Sequence, residues 1–154
     1  MPMISPVKTP FETLARQDPI ATAQNQAHPA PRILVVDDDP DLRQLLSQSL
    51  LRSGYRVEAA GDGEAGWNVL QIGLWEHRRY DLLITDHNMP KLSGVDLVKR
   101  LRTERITLPV ILATALPPED TEDLDLAAIL QKPFGMNSLV ETVKMVLHTS
   151  NSSA

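Results

Sequence analysis

The sequence of 154 residues contains no cysteine, which excludes a disulfide scaffold, a thiolate metal site and a cysteine nucleophile. Basic residues are also scarce, because 15 Lys and Arg face 20 Asp and Glu, for a net charge of −5. An acidic surface repels phosphate, so we expect no nucleic-acid partner. No apolar run approaches the roughly 18 residues of a membrane span, and the first thirty residues lack the apolar core of a signal peptide. We therefore expect a cytoplasmic protein that does not bind membranes.

Hydrophobic residues make up 42% of the chain, which is enough for a packed core and excludes disorder throughout. Proline is unevenly distributed, with six of the 12 prolines in the first 31 residues. This composition predicts a flexible extension over residues 1–31, one domain over residues 32–148 and a polar tail over residues 149–154. Within the extension, Thr9-Pro10-Phe11-Glu12 has the pattern of a capping box and predicts a short helix.

Short apolar runs alternate with amphipathic segments from residue 32 onward. The runs at 33–36, 82–84, 110–113 and 128–130 predict strands buried on both faces, whereas the alternation at 56–59 predicts an edge strand. The segments at 40–53, 64–76, 94–104 and 137–147 predict helices, but residues 116–127 are a poor helix. Five βα units in this order predict an open, doubly wound α/β domain with a parallel sheet.

Polar side chains follow four of the predicted strands. They are Asp37, Asp38 and Asp39 after the first, Asp86 after the third, Thr114 after the fourth and Lys132 after the fifth. Ligand sites of such sheets lie outside the carboxyl ends of the strands, so we expect these side chains to converge. Clustered carboxylates repel one another unless a cation lies between them, and oxygen ligands alone favour Mg²⁺. A carboxylate left free beside that ion and a lysine can attack phosphorus to form an aspartyl phosphate.

Five short motifs together resemble the receiver domain of two-component response regulators. They are Val35-Val36-Asp37-Asp38, Asp86-His87-Asn88-Met89-Pro90, Gly94, Thr114-Ala115 and Lys132-Pro133-Phe134. The resemblance covers roughly residues 32–148 and implies the flavodoxin-like (βα)5 fold with strand order 2-1-3-4-5. Each motif alone is weak, but all five occur in the order of the family.

The resemblance also implies a role for each site residue. Asp86 would be the phosphoacceptor, and Mg²⁺, or Mn²⁺ in its place, would be bound by Asp37, Asp38, Asp86 and the main-chain carbonyl of Asn88. Thr114 and Lys132 would contact phosphoryl oxygens, and the Lys132-Pro133 peptide would be cis. The donor would be a phosphohistidine on a sensor histidine kinase or a phosphotransfer protein. The domain would thus be a signalling module that catalyses its own phosphotransfer and slow dephosphorylation, not an enzyme with an external substrate.

Three departures from the family concern how the signal leaves the domain. Ile129 stands where many receivers have an aromatic residue that reports phosphorylation, and the acidic segment 119–125 replaces a regular fourth helix. The second helix is predicted to be about one turn longer, with Ile72, Leu74 and Trp75 in the extra length. We expect Trp75, like Trp67, to pack within the fold, and His87 to lie in a surface loop.

The acidic segment accounts for the net charge of the domain. From Arg32 onward there are 13 basic and 18 acidic residues, and without the five acids of residues 119–125 the two signs balance. Because little sequence follows the last predicted helix, we expect a stand-alone receiver that signals through a downstream protein partner or relays phosphate. The acids of residues 119–125 favour a basic or hydrogen-bonding partner.

Two other functions remain open. A receiver-shaped scaffold could bind its partner without phosphorylation, as Ile129 and the altered fourth helix would allow. A haloacid-dehalogenase-like phosphatase also uses an aspartate nucleophile, and Asp37-x-Asp39 superficially fits its first motif. That motif continues to Thr or Val where this chain has Asp41, and no acidic pair follows Lys132.

Overall fold

The computed structural model describes residues 28–152, so the capping motif predicted at Thr9–Glu12 lies outside the described residues. The fold belongs to the compact unit that begins at Pro31. Its elements in chain order are β1 (Arg32–Val36), α1 (Pro40–Arg52), β2 (Arg56–Ala60), α2 (Gly63–Trp75), β3 (Leu82–Asp86), α3 (Gly94–Thr103), β4 (Val110–Thr114), a 3-10 turn (Glu122–Leu124), β5 (Ala128–Gln131) and α4 (Met136–Ser152). No helix in this part of the chain is long and apolar enough to cross a membrane.

The five strands form one parallel sheet in the order β2-β1-β3-β4-β5, which confirms the predicted fold class and strand order. β3 and β4 are buried along their whole length, and β1 is buried from Ile33 onward. β2 forms one edge, as its alternating pattern predicted. Because all five strands are parallel, the chain that follows each of them leaves from the same end of the sheet, its carboxyl edge.

Successive residues of the central strands enter two separate cores, because side chains alternate across a sheet. On one face Leu34, Leu83 and Val110 pack with residues of α2 and α3. On the other face Ile33, Ile84 and Ile111 pack with residues of α1 and α4. The continuous apolar runs of the sequence therefore correspond to strands covered by helices on both faces.

Three helices begin at side-chain caps that face the carboxyl edge of the sheet. The Asp39 carboxylate accepts hydrogen bonds from the backbone of Asp41 and Leu42, the Asp62 carboxylate from that of Ala65, and the Ser93 hydroxyl from that of Asp96. Asp39 thus has the capping role and Pro40 the first helical position that the sequence predicted. These caps end the loops after β1, β2 and β3 at defined residues.

β5 does not have the two-sided burial predicted from its apolar run. It is the second edge of the sheet, and the side chain of Ile129 is 41% exposed although its register partner, Leu112, is fully buried. The crossover from β4 contains only the 3-10 turn Glu122–Leu124, which is too short to cover this face of β5. The prediction of a poor fourth helix is therefore confirmed, and it explains the exposure of Ile129.

The guanidinium of Arg102 on α3 holds this irregular crossover in place. It donates hydrogen bonds to the carbonyls of Leu124 at 2.8 Å and Asp125 at 3.2 Å. The same group donates to the carbonyls of Ile106 at 2.8 Å and Leu108 at 3.0 Å, before β4. One planar side chain thereby satisfies four backbone acceptors that no regular helix is present to satisfy.

The prediction that Trp75 packs within the fold is wrong, whereas Trp67 is buried as expected. Trp75 is 88% exposed and ends α2 beside the exposed Ile72. At Gly73 the helix lies directly against the returning chain, because an added Cβ there would be 2.7 Å from the carbonyl oxygen of Arg78. Residues two apart on a helix point roughly 200° apart, so Trp75 is directed away from that contact.

α4 also differs from its predicted length, since it continues to Ser152 and not to Leu147. Its additional turn includes hydroxyl groups that donate to carbonyls one turn earlier, as Ser150 does to Val146 at 2.9 Å and Ser152 does to His148 at 3.1 Å. The hydroxyls of this turn are thus satisfied within the helix, in a segment that the apolar pattern alone did not include.

Candidate functional site

The predicted site residues lie at the carboxyl edge of the sheet, at or just beyond the ends of four strands. Asp37 follows β1, Asp86 ends β3, Thr114 ends β4 and Lys132 follows β5. Asp37, Asp86 and Thr114 are buried, with exposed fractions of 1%, 8% and 0%. Buried polar residues need partners, and these are supplied by one another and by the surrounding loops.

Three of the side chains form a carboxylate cluster. One carboxylate oxygen from each of Asp37, Asp38 and Asp86 lies within 4.8 Å of the other two. Asp38 is exposed, so the cluster is open to solvent at Asp38. Three carboxylates and one lysine leave a net negative charge, and the donor atoms are all oxygen. This donor set fits a hard divalent cation such as Mg²⁺.

Lys132 lies between the two buried carboxylates. Its Nζ is 3.3 Å from Oδ2 of Asp37 and 3.3 Å from Oδ1 of Asp86. The backbone N–H of Lys132 donates to the Thr114 carbonyl at 2.8 Å, which ties the residue to the end of β4. The Lys132-Pro133 peptide bond is cis, as the resemblance implied. The lysine therefore connects side chains that are far apart in sequence.

The pKa of Asp86 is raised above its ordinary value, first because burial removes the carboxylate from water. The nearby Lys132 lowers this pKa and Asp37 raises it, and the balance stays upward. Burial lowers the pKa of Lys132, but the charges of Asp37 and Asp86 outweigh that effect and raise it. Lys132 is thus held as a cation, and the environment of Asp86 favours additional positive charge.

The backbone around Asp86 is held by close contacts. The backbone N–H of His87 donates to Oδ1 of Asp86 at 2.8 Å, and the Thr85 hydroxyl donates to the Asp86 carbonyl at 2.9 Å. An added Cβ at Gly94 would lie only 2.0 Å from the Asp86 carbonyl oxygen. Glycine is therefore required at position 94 for the start of α3 to approach the end of β3.

The Thr114 hydroxyl is not hydrogen-bonded to Asp86 in this structure. The hydroxyl donates instead to the carbonyl of Leu116 at 3.1 Å. Leu116 itself is 76% exposed and opens the acidic crossover toward β5. Thr114 is thus linked by a hydrogen bond to the start of the acidic crossover. Its predicted bond to a phosphoryl oxygen stays a prediction.

The loop after β3 contains two residues, His87 and Asn88, that differ in burial. Asn88 is exposed two residues beyond Asp86, and the metal-binding role predicted for its carbonyl stays a prediction. His87 is half-buried, and its Nδ1 is buried with no hydrogen-bond partner among residues 28–152. It therefore differs from the surface histidine that was expected.

Arg43 is a site residue that the sequence analysis did not identify. Its Nη1 donates to the main-chain carbonyl of Asp37 at 2.7 Å. A signal was available, because the residue lies close to the amino end of α1, where the helix dipole disfavours a cation. A cation at such a position is informative when an acidic loop precedes the helix.

The fold and the site define the class of protein, a doubly wound α/β domain with an acidic, lysine-containing site at the carboxyl edge of its sheet. The chain belongs to the response regulator receiver domain family, whose model matches residues 33–144. This confirms the resemblance found in the sequence and identifies a two-component signalling domain.

Relatives and solved structures agree with this family. The chain is 35% identical over 127 residues to the alkaline phosphatase synthesis transcriptional regulatory protein PhoP of Bacillus subtilis, with 80% of this chain and 51% of the relative covered. It is 38% identical over 126 residues to the transcriptional regulatory protein CpxR of Escherichia coli, with 79% and 51% covered. The structure matches Vibrio cholerae chemotaxis protein CheY4 with a TM-score of 0.68 and 29% identity, covering 76% of this chain and 98% of that one.

The chain thus spans about half the length of the curated relatives it matches. Those relatives are named as response regulators and transcriptional regulators. The match shows the receiver domain.

Proposed function

We propose that this domain accepts a phosphoryl group from a phosphohistidine, on a sensor histidine kinase or a phosphotransfer protein, onto Asp86. The observation that carries the proposal is the position of Lys132, 3.3 Å from both Asp37 and Asp86 within a carboxylate cluster. A buried aspartate beside a lysine and a cation-binding cluster has the groups needed to become an aspartyl phosphate. Family membership agrees with this chemistry.

The residues have distinct roles in the proposed transfer. An oxygen of the Asp86 carboxylate attacks phosphorus and forms the new oxygen–phosphorus bond. The phosphorus–nitrogen bond breaks, and its electron pair returns to the imidazole of the donor. Lys132 pairs with a phosphoryl oxygen, and the Thr114 hydroxyl exchanges its bond to Leu116 for another phosphoryl oxygen. The domain contributes mainly by positioning these groups and neutralising charge.

The proposed metal site consists of Asp37, Asp38, Asp86 and the main-chain carbonyl of Asn88. Mg²⁺ bound there, or Mn²⁺ in its place, would neutralise charge on the phosphoryl oxygens. The clustered carboxylate oxygens support the three side-chain ligands. Hydrolysis of the aspartyl phosphate would be slow and catalysed by the domain itself. We therefore propose a signalling domain and assign no external substrate to it.

The proposed output is a phosphorylation-dependent contact with another protein in the cytoplasm, or a relay of the phosphate, without binding to nucleic acid or membrane. Ile129 has no aromatic ring whose rotation would report a movement of Thr114. The bond from Thr114 to the Leu116 carbonyl instead supports a direct effect on the acidic crossover. Among the described residues, the acids of 119–125 form no salt bridge, so their charge is available to a basic partner.

Labelling with a small phosphodonor such as acetyl phosphate tests the proposal. With Mg²⁺ present the protein should acquire one acid-stable, base-labile phosphate, and Asp86→Asn should remove it. Asp96→Asn, an exposed acid in the first turn of α3, is the matched control and should be labelled normally. Persistent labelling of Asp86→Asn would contradict the assignment.

A phosphorylation-independent scaffold is the second candidate, and the exposed Ile129 on the uncovered face of β5 is the observation that favours it. Beryllium fluoride imitates the aspartyl phosphate, so partner binding that is unchanged by this reagent and by Asp86→Asn would support the scaffold. Membership in the receiver family leaves the haloacid-dehalogenase-like phosphatase without support.

A further inference from the structure

A guanidinium from the first turns of α1 contacts the β1–α1 turn, which carries two of the three clustered carboxylates. Arg43, one turn into α1, donates from Nη1 to the Asp37 carbonyl at 2.7 Å. That carbonyl belongs to the peptide group joining Asp37 to Asp38. One side chain therefore restrains the peptide plane between two of the three clustered carboxylates.

Asp37 and Asp38 differ in the other hydrogen bonds that they form. Oδ1 of Asp37 accepts from the backbone N–H of Asp39 at 2.9 Å, and its own N–H donates to the Ala60 carbonyl at 3.2 Å. Asp38 is exposed, and none of the hydrogen bonds or ion pairs found among residues 28–152 involves its carboxylate. The direction of the Asp38 side chain therefore depends on the peptide that Arg43 holds.

The other side of the guanidinium is confined by the loop after β2. An added Cβ at Gly61 would lie 3.3 Å from Nη1 and 3.7 Å from Cζ of Arg43. The absence of a side chain at Gly61 thus leaves just enough room for the guanidinium to reach Asp37. Arg43 lies between the turns after β1 and β2 and keeps them in a fixed relation.

We propose that Arg43 is a positioning residue for the divalent cation, which orients Asp38 and Asp37 through their shared peptide. The inference deepens the proposed function, because it concerns the metal affinity of the same site. Removal of a group that hydrogen-bonds to metal-binding residues commonly lowers metal affinity by about 10–100-fold. Because Asp37 keeps its other bonds, we expect an effect near the lower end of that range.

Calorimetric titration of the unphosphorylated full chain with Mg²⁺ measures this directly, with Mn²⁺ binding followed by electron paramagnetic resonance as a second readout. Arg43→Met should raise the dissociation constant about tenfold, and Arg43→Lys, which retains one donor, should fall between Met and the wild type. Arg52→Met, the exposed arginine that ends α1, is the control and should bind as the wild type does. A dissociation constant for Arg43→Met within about twofold of the wild type would overturn the inference.

Gly61→Val tests the same contact without removing the arginine. The larger side chain should displace the guanidinium from Asp37 and weaken Mg²⁺ binding, and Arg43→Met with Gly61→Val should be no weaker than Arg43→Met alone. If Arg43→Met does not fold, Gly61→Val decides the question, and unchanged binding by Gly61→Val would then overturn the inference.

The kinetics of labelling separate positioning from general damage. Arg43→Met should need about ten times more Mg²⁺ for half-maximal labelling, and saturating Mg²⁺ should restore the maximal rate. A lower maximal rate with unchanged Mg²⁺ dependence would contradict the proposed role. If the wild type binds Mg²⁺ but is not labelled at Asp86, the proposed function fails while the binding comparison still decides the role of Arg43.

Discussion

Two acidic regions of this domain differ in how their charge is held. At the carboxyl edge of β1 and β3, Asp37 and Asp86 are buried and share Lys132. In the crossover between β4 and β5, the acids of residues 119–125 are exposed and have no basic residue among them, while the segment is held by the buried side chain of Leu124 and by hydrogen bonds from Arg102 to its backbone. Buried charges require defined partners, whereas solvated charges do not. The first region therefore suits the chemistry proposed for Asp86, and the second suits the proposed contact with a partner.

The largest effect should come from removing the cation of the first region. Lys132→Met leaves two buried carboxylates without their shared partner and removes a donor to the phosphoryl group. We expect labelling of Asp86 to slow by a factor of about 10²–10³, which is typical for the loss of one preorganised charge-stabilising donor. A time course of labelling with acetyl phosphate at saturating Mg²⁺, with samples quenched at intervals, measures the rate. Lys91→Met is the control, since this exposed lysine pairs with Asp62 at 3.4 Å and not with the site. An equal loss of labelling in this variant would contradict the special role of Lys132.

The next effect concerns the backbone of the site. Gly94→Ala would place a Cβ 2.0 Å from the Asp86 carbonyl oxygen, so α3 or the end of β3 must shift. We expect a loss of about 3 kcal/mol in the free energy of unfolding, the upper part of the range for overpacking. Urea denaturation followed by circular dichroism measures it. Gly135→Ala is the matched control, because an added Cβ there meets nothing within 4 Å; similar losses in both variants would contradict the steric cause.

Arg102→Met tests how much the hydrogen bonds from Arg102 to backbone carbonyls stabilise the acidic crossover. The change leaves four carbonyl acceptors without their donor, and some of them can turn to water. We expect the free energy of unfolding to fall by about 2 kcal/mol, with faster amide hydrogen exchange near Leu124. Lys99→Met, an exposed residue of the same helix, serves as the control. Unchanged exchange in the crossover would show that other contacts hold it.

Replacing the five acids of residues 119–125 with Gln or Asn should have little effect on the domain itself. Because these acids are not in salt bridges, we expect the free energy of unfolding to change by less than about 0.5 kcal/mol, and labelling of Asp86 should persist. Partner capture by the beryllium fluoride-loaded domain should weaken if the proposed basic partner recognises this segment. Equal capture by the variant would mean that the acidic segment is only a solvated surface.

The smallest expected effect lies at the β2 edge, away from both acidic regions. Hydrogen bonding from Tyr80 lowers the pKa of Glu58 below its ordinary value, with burial opposing and Arg32 assisting. Because folding lowers this pKa, the ionised Glu58 stabilises the fold at pH values above the pKa of the unfolded chain. This stabilisation is lost as the pH falls through the pKa of the folded protein. Glu58→Gln should therefore be slightly less stable than the wild type at pH 7, and the difference should vanish in acid below the Glu58 pKa. A difference that persists there would indicate lost packing.

Sequence patterns predicted most of this fold because they are local. Apolar runs, their helical neighbours and the cap at Asp39 each occupy a few consecutive residues, and the polar residues after the strands predicted which side chains cluster at the carboxyl edge. The errors arose where burial depends on distant elements. Ile129 belongs to an apolar run, but its exposure depends on a crossover that contains no helix. Trp75 looked like a packing residue, but its direction depends on the contact of Gly73 with the returning chain.

The sequence by itself determined the class of fold, the family and the residue types at the strand ends, because periodicity and motif order are properties of the linear chain. Only the tertiary structure decided which groups meet. Lys132 reaches Asp37 across 95 positions, Arg43 reaches the Asp37 carbonyl, and Arg102 reaches a crossover more than twenty residues away. Such contacts depend on strand order and on distances of a few ångströms. Spacing along the chain does not predict these contacts, because they form only when the folded sheet brings the strand ends together.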